Sequence, residues 1–146
     1  MRFVVLHHTA WPGRGAHYDL MLQMEHGGDD DPVLKTFASL TDEFPDGKSH
    51  SDTRARGAAS GDPSSQTNLL QLINDHRQAY LTHEGQLSGG RGTVARIEAG
   101  ALEFLAPLDP LLQEYRFRLA GKKLQGAFRL RHMGNGIYSF ERLRRT

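Results

Sequence analysis

Near its start the chain carries two histidines and an aspartate at close quarters: His8, then His17 and Asp19 on either side of Tyr18. On a β-strand, side chains alternate between faces, so His17 and Asp19 project together and Tyr18 points away. Their Cα atoms stand roughly 6.5 Å apart, which lets an imidazole and a carboxylate converge on one metal ion. The local pattern predicts that strand: Tyr18, Leu20, Leu22 and Met24 form an apolar file opposite His17, Asp19, Met21 and Gln23. Residues 2–8 read as a second strand, and Pro12-Gly13 with Gly15 supplies the turn between the two. Pairing them brings His8 beside His17 and Asp19. On chemistry alone another arrangement competes, in which His17, Asp19 and the distant His76 form the facial triad of non-haem iron oxygenases. That set leaves His8 unused, and the chain is short for such an enzyme.

The elements that must position these residues are mostly strands. Residues 17–25 are followed by a turn at 26–32 and a third strand at 33–40. The turn holds Asp29, Asp30 and Asp31 but lacks the glycine and distal glutamate of a calcium loop, so it reads as a solvated turn. Residues 45–68 are rich in Ser, Gly, Asp and Pro and have almost no large apolar side chain. Such a tract cannot bury enough surface to offset its ordering entropy, which predicts a mobile excursion within one domain. Arg54 and Arg56 are the cations it could close over an anion. Thr67-Asn68 resembles a helix N-cap and predicts a short helix over 69–75, with a strand as the alternative.

Further on, strands are expected at 79–83, 93–98 and 101–105, with turns at 89–92 and at Ala99-Gly100. Pro107 and Pro110 mark a crossing loop. Residues 114–119 alternate basic and apolar, turning Tyr115, Phe117 and Leu119 to the core. Strands at 124–132 and 137–142 flank a turn at Gly134-Asn135-Gly136. The expectation is one all-β domain over residues 1–146. It is an antiparallel barrel or sandwich of about eight strands with one or two short helices.

A chain of 146 residues supports one core and not two. No apolar run approaches the ~20 residues of a membrane span, and residues 1–6 turn polar too soon for a secretory leader. There is no cysteine, which removes disulfides and thiolate metal sites and fits a cytoplasmic protein. The net charge of +1 hides an asymmetry: residues 1–113 hold 9 Lys/Arg against 15 Asp/Glu, and residues 114–146 hold 9 against 2. The basic end is either a footprint for a phosphate-rich polymer or the solvated outer face of a sheet.

The order of motifs resembles the 3′-phosphoesterase domain of bacterial DNA ligase D, the end-joining ligase. The resemblance begins with the Phe3-Val4-Val5 strand, His8 and His17-Tyr18-Asp19. It continues through the strand at 33–38, then His76 with Tyr80 four residues on, Glu84-Gly85 and Gly92-Thr93-Val94. It closes on Phe117-Arg118-Leu119-Ala120-Gly121-Lys122-Lys123-Leu124-Gln125-Gly126, the most distinctive element.

This resemblance implies a compact β-barrel in which His8, His17 and Asp19 bind a divalent metal, typically manganese. It implies that His76 and Tyr80 contact the phosphate. The implied activity is trimming of 3′-phosphates and 3′-terminal ribonucleotides from DNA, with a ligase or end-joining factor acting in trans. His7 stands where that family usually has lysine and is a candidate for touching a substrate phosphate, and Trp11 is a candidate for stacking on a terminal base. Met21 occupies the position of the family's phosphate-gripping arginine, and Gln23 that of an acidic residue. The family's Pro-Lys-Gly motif is missing, with Asp42 and Glu43 nearby instead. Arg14, Arg91 or Arg54 is left to supply the cation from a loop. A module of the same fold that binds nucleic-acid ends without cutting them is the alternative function.

Overall fold

Strand β1 (Arg2–Thr9) is the seam of the molecule: it pairs antiparallel with β2 (His17–Gln23) on one side and with β6 (Thr93–Phe104) on the other. The computed structural model describes residues 1–48, 68–107 and 113–144. Within them β3 (Leu34–Ser39), β4 (Leu69–His76), β5 (Gly85–Gln86), β7 (Glu114–Ala120), β8 (Gln125–Gly134) and β9 (Ile137–Arg142) complete a single antiparallel sheet. Its order is β1-β2-β3-β4-β9-β8-β7-β6-β5. The β1–β6 pairing closes the sheet into a ring, barrel-like without being a regular barrel, so the all-β antiparallel expectation holds.

The ring is filled by one face of its strands. Phe3, Val5, Leu20, Leu22, Phe37, Phe117, Leu119, Phe128, Leu130 and Phe140 meet there, all essentially without exposure. Phe128 and Phe140 stack with centroids 5.1 Å apart. Each such side chain contributes about 1.5–3 kcal/mol of burial. The opposite face of β1 and β2 is covered as well. Val4, Leu6 and Met21 pack with Val33, Leu34, Val94 and with Tyr80 and Leu81 of a 3-10 turn at Gln78–Leu81. Burial on both faces is why Phe3-Val4-Val5-Leu6 is a continuous apolar run and not an alternating one.

Several local expectations are corrected. Residues 69–75 form no helix; they belong to strand β4, which bridges β3 and β9 and is needed to complete the ring. Asn68 is no helix cap. Its side chain accepts the Gly47 N–H at 3.0 Å and donates to the Lys48 carbonyl at 2.6 Å, pinning both ends of the polar tract together. Residues 49–67 of that tract, with Arg54 and Arg56, and Pro110 of the crossing loop lie outside the described residues.

The strand expected at 79–83 is replaced by the 3-10 turn. It docks on the aspartate turn, where the Asp31 and Asp29 carbonyls accept the N–H groups of Gln78 and Ala79 at 2.9 and 3.0 Å. The Gln78 side chain adds bonds to Gln23 and Gly27. No turn interrupts β6 at Gly100. That residue is glycine because a Cβ there would overlap the Ala120 carbonyl of the neighbouring strand.

Glu98 of β6 is 5% exposed. Its carboxylate accepts the N–H groups of Ala99, Lys122, Lys123 and Leu124 at 3.1, 3.1, 2.5 and 2.7 Å. Burial favours the neutral acid, but these backbone donors outweigh it and hold the pKa below the usual 4.5. A Cβ on Gly121 would lie 2.5 Å from Glu98 Oε2. The Gly121-Lys122-Lys123-Leu124 turn, so distinctive in sequence, thus serves to wrap a buried carboxylate.

The basic strands β7 and β8 have their arginines engaged with acids. Arg116 lies 2.5 Å from Glu114 and Arg118 3.4 Å from Glu103, while Arg129 and Arg131 share Glu141 at 2.5 and 2.9 Å. That pattern matches a solvated sheet face more than a free cationic strip. Among the described residues no helix is long and apolar enough to cross a membrane.

Candidate metal centre and its cavity

The register of the β1–β2 hairpin sets His8 directly opposite His17, with Asp19 two residues along the same face. The three side chains offer ligand atoms that all lie within 4.8 Å of one another. His8 Nδ1 is 3.7 Å from Asp19 Oδ2, and His17 Nε2 is 3.3 Å from Asp19 Oδ1. All three residues are buried. The remaining ring nitrogens point at backbone carbonyls: His8 Nε2 to Arg91 at 2.6 Å and His17 Nδ1 to Gly15 at 3.1 Å.

A carbonyl only accepts, so each neutral ring carries its hydrogen there and turns a lone pair toward Asp19. Two lone pairs and a carboxylate then converge with no donor among them, and Asp19 Oδ1 is buried without a hydrogen-bond partner. Such a group could hold a cation. Imidazoles held from behind by carbonyls, together with one carboxylate, suit a divalent ion. Among the described residues this is the one such group of three, and it contains His8 where the oxygenase-type set would require His76.

A proton is the competitor for the same place. Burial works against a charged His17, yet the hydrogen bond and charge of Asp19, with the Gly15 carbonyl, raise its pKa above 6.5. Burial likewise opposes the Asp19 carboxylate, but His17 and His8 outweigh it and the pKa falls below its ordinary value. Asp19 therefore stays ionised as pH drops, while His17 gains the proton that blocks its lone pair. If manganese is the ion this group takes, its affinity measured by calorimetry should fall about tenfold per pH unit below the His17 pKa as His17 gains its competing proton. The decline begins above pH 6.5, earlier than an ordinary histidine would give.

The cluster opens into a cavity of about 460 Å³. Its wall includes His8, His17, Asp19, His76, Tyr80, Arg14, Arg91, Trp11 and Met21, so the structure brings together nearly every residue singled out in sequence. His76 closes β4, with its ring edge-on to Tyr80 at 5.2 Å. Its Nδ1 donates to the Asn74 carbonyl at 2.9 Å, leaving Nε2 as the free nitrogen of the neutral ring. Tyr80 is 8% exposed, and the Gln78 side chain anchors its turn to β2. Arg14 lies over Trp11 at 4.9 Å, and Trp11 stacks on His8 with centroids 5.0 Å apart. Met21, 1% exposed, is apolar floor, so the cations of this cavity come from the loops around it.

His7 is the exception. As the neighbour of His8 on a strand it faces the other way, stacks on Tyr18 at 4.3 Å and bonds Asp42 at 2.7 Å, and it is not part of the cavity wall. No protein-family model matches the chain, and no curated protein matches it. The chemistry is therefore argued from the site itself. Gln78 and the Arg91 carbonyl, which hold Tyr80 and His8, were not singled out in sequence. Both act through bonds to residues more than 50 positions away, and a local pattern carries no trace of those.

Proposed function

We propose that this chain is a divalent-metal-dependent phosphoesterase that trims 3′-phosphates or 3′-terminal ribonucleotides from DNA ends. Manganese is the proposed ion. DNA or RNA/DNA 3′ ends are the proposed substrates, and a DNA ligase or end-joining factor in trans, in the cytoplasm, is the proposed user of the product. The observation that carries the reading is the convergence of the His8–His17–Asp19 lone-pair cluster with His76, Tyr80, Arg14 and Arg91 in one cavity. The motif order resembling the ligase D phosphoesterase domain supports it.

His8, His17 and Asp19 would hold the ion, which when bound polarises a phosphoryl oxygen and acidifies a water. Arg14 and Arg91 draw the anionic substrate into the cavity and neutralise its phosphate. In its imidazolium form His76 would give its Nε2 proton to the leaving oxygen or donate it to a phosphoryl oxygen, its Nδ1 proton staying on the Asn74 carbonyl, and the Tyr80 phenol would orient the same group.

The test is incubation with manganese and labelled 3′-phosphate or 3′-ribonucleotide primers, with the products resolved by length and charge. Trimming should require the metal. His76→Ala should lower turnover by about 10²–10⁴-fold, the usual contribution of a positioned acid or base, and Tyr80→Phe should lower it less. DNA binding without product from any 3′-modified primer would replace this reading by the end-binding module.

A further inference from the structure

We infer that Gly92 is a positioning residue for the metal centre: it holds the Arg91 carbonyl against His8 and so makes the two histidines present opposite ring nitrogens, Nδ1 from His8 and Nε2 from His17. The inference rests on the proposed metal reading.

Its ground is steric. Gly92 adopts φ +94°, a conformation that favours glycine, and a Cβ there would overlap the Thr9 carbonyl and stand 3.0 Å from the Trp11 nitrogen. Only a bare α-carbon lets this loop lie against the end of β1, one residue beyond His8. The loop is closed by the Leu87 N–H donating to the Gly92 carbonyl at 2.8 Å. Seated there, the Arg91 carbonyl lies 2.6 Å from His8 Nε2. The Arg91 side chain goes elsewhere, bonding the Ser88 carbonyl at 2.9 Å and the Ser88 hydroxyl at 3.2 Å. One residue thus divides two tasks: its backbone fixes the His8 tautomer, and its guanidinium braces the loop at Ser88.

His17 needs no such help. Its Nδ1 bonds Gly15, two residues away, so its orientation is settled within the hairpin. The His8 bond spans 83 residues and depends on the loop being in place.

The test has two arms. In the metal-free parent protein at pH 8, long-range ¹⁵N–¹H spectra should show His8 protonated at Nε2 and His17 at Nδ1. The same tautomer on both rings overturns the inference, even if no variant folds. In the second arm, manganese affinity is measured by calorimetry for the parent, Gly92→Ala and Gly126→Ala, with thermal melts of the metal-free forms. Gly92→Ala should weaken binding about 10–100-fold, as loss of an orienting partner does, and should change the visible spectrum of the cobalt-substituted form. Gly126→Ala, at a positive-φ glycine of β8 with open space around a Cβ, carries the same kind of backbone strain away from the cavity and should leave metal affinity at the parent value. If a folded Gly92→Ala binds manganese like the parent, the inference fails while the metal reading stands. If the parent itself binds no divalent ion, both fail.

Discussion

Asp19→Asn should weaken manganese binding by at least about 100-fold while the barrel stays folded. The exchange keeps the shape of the side chain and removes the charge. Ligand atoms outrank the orienting partners whose loss costs 10–100-fold, and Asp19 is the sole carboxylate of the group and only 3% exposed. In so dry a place a cation facing two neutral imidazoles and an amide has nothing to balance its charge. His17→Ala should act in the same direction. Asp42→Asn is the matched control, because that carboxylate is exposed and bonds His7 on the other face of β1. Calorimetric titration of the three variants with manganese decides the matter. Parent-like affinity in Asp19→Asn would place the metal elsewhere.

Glu98→Gln should cost about 3 kcal/mol of stability, since bonds to a charged acceptor are worth about 1.5–3 kcal/mol each and an amide turns donors toward some of the N–H groups. In a chain of this size that lowers Tm by roughly 6–12 °C. The pH dependence has a definite sign. The folded pKa of Glu98 is depressed, so its stabilisation is complete above the unfolded value, near 4.5, and is lost as pH falls through the lower folded value. Melting curves of parent and variant should therefore differ most at neutral pH and converge in acid. Glu103→Gln, which alters only an exposed pair with Arg118, should move Tm by about a degree or less. Equal melting temperatures for parent and Glu98→Gln at pH 7 would show that the turn does not depend on the carboxylate.

The parts of this molecule legible in sequence are those set by short-range alternation. Tyr18, Leu20 and Leu22 face the barrel and His17, Asp19 and Met21 face away, as the two-residue period requires. The same rule places His7 away from the cavity, and only its standing where the resembled family has a lysine suggested otherwise. What the pattern does not carry is the partner of each polar group. Asn68 reads as a helix cap until its bonds to Gly47 and Lys48 are known. Gly100 reads as a turn until Ala120 is found beside it. Residues 79–83 read as a strand because nothing local reveals that the aspartate turn takes the Gln78 and Ala79 N–H groups and seats a 3-10 turn there. For the site, the metal-type cluster was visible because all three members sit in one hairpin. The carbonyl behind His8 was not, because it comes from the loop leading into β6, a neighbour of β1 in space but 83 residues away in sequence.

The bonds of Asn68 have a consequence for how this chain can vary. They join residues 47 and 48 to residue 68 directly, so the barrel itself holds the two ends of the intervening segment together. The entropy of closing a loop grows only with the logarithm of its length, about 0.6 kcal/mol per doubling. The closure cost of whatever segment joins those ends therefore depends only weakly on how many residues it holds. The Asn68 junction is a natural splice site, where a lineage or an engineer can add a new surface without renegotiating the core.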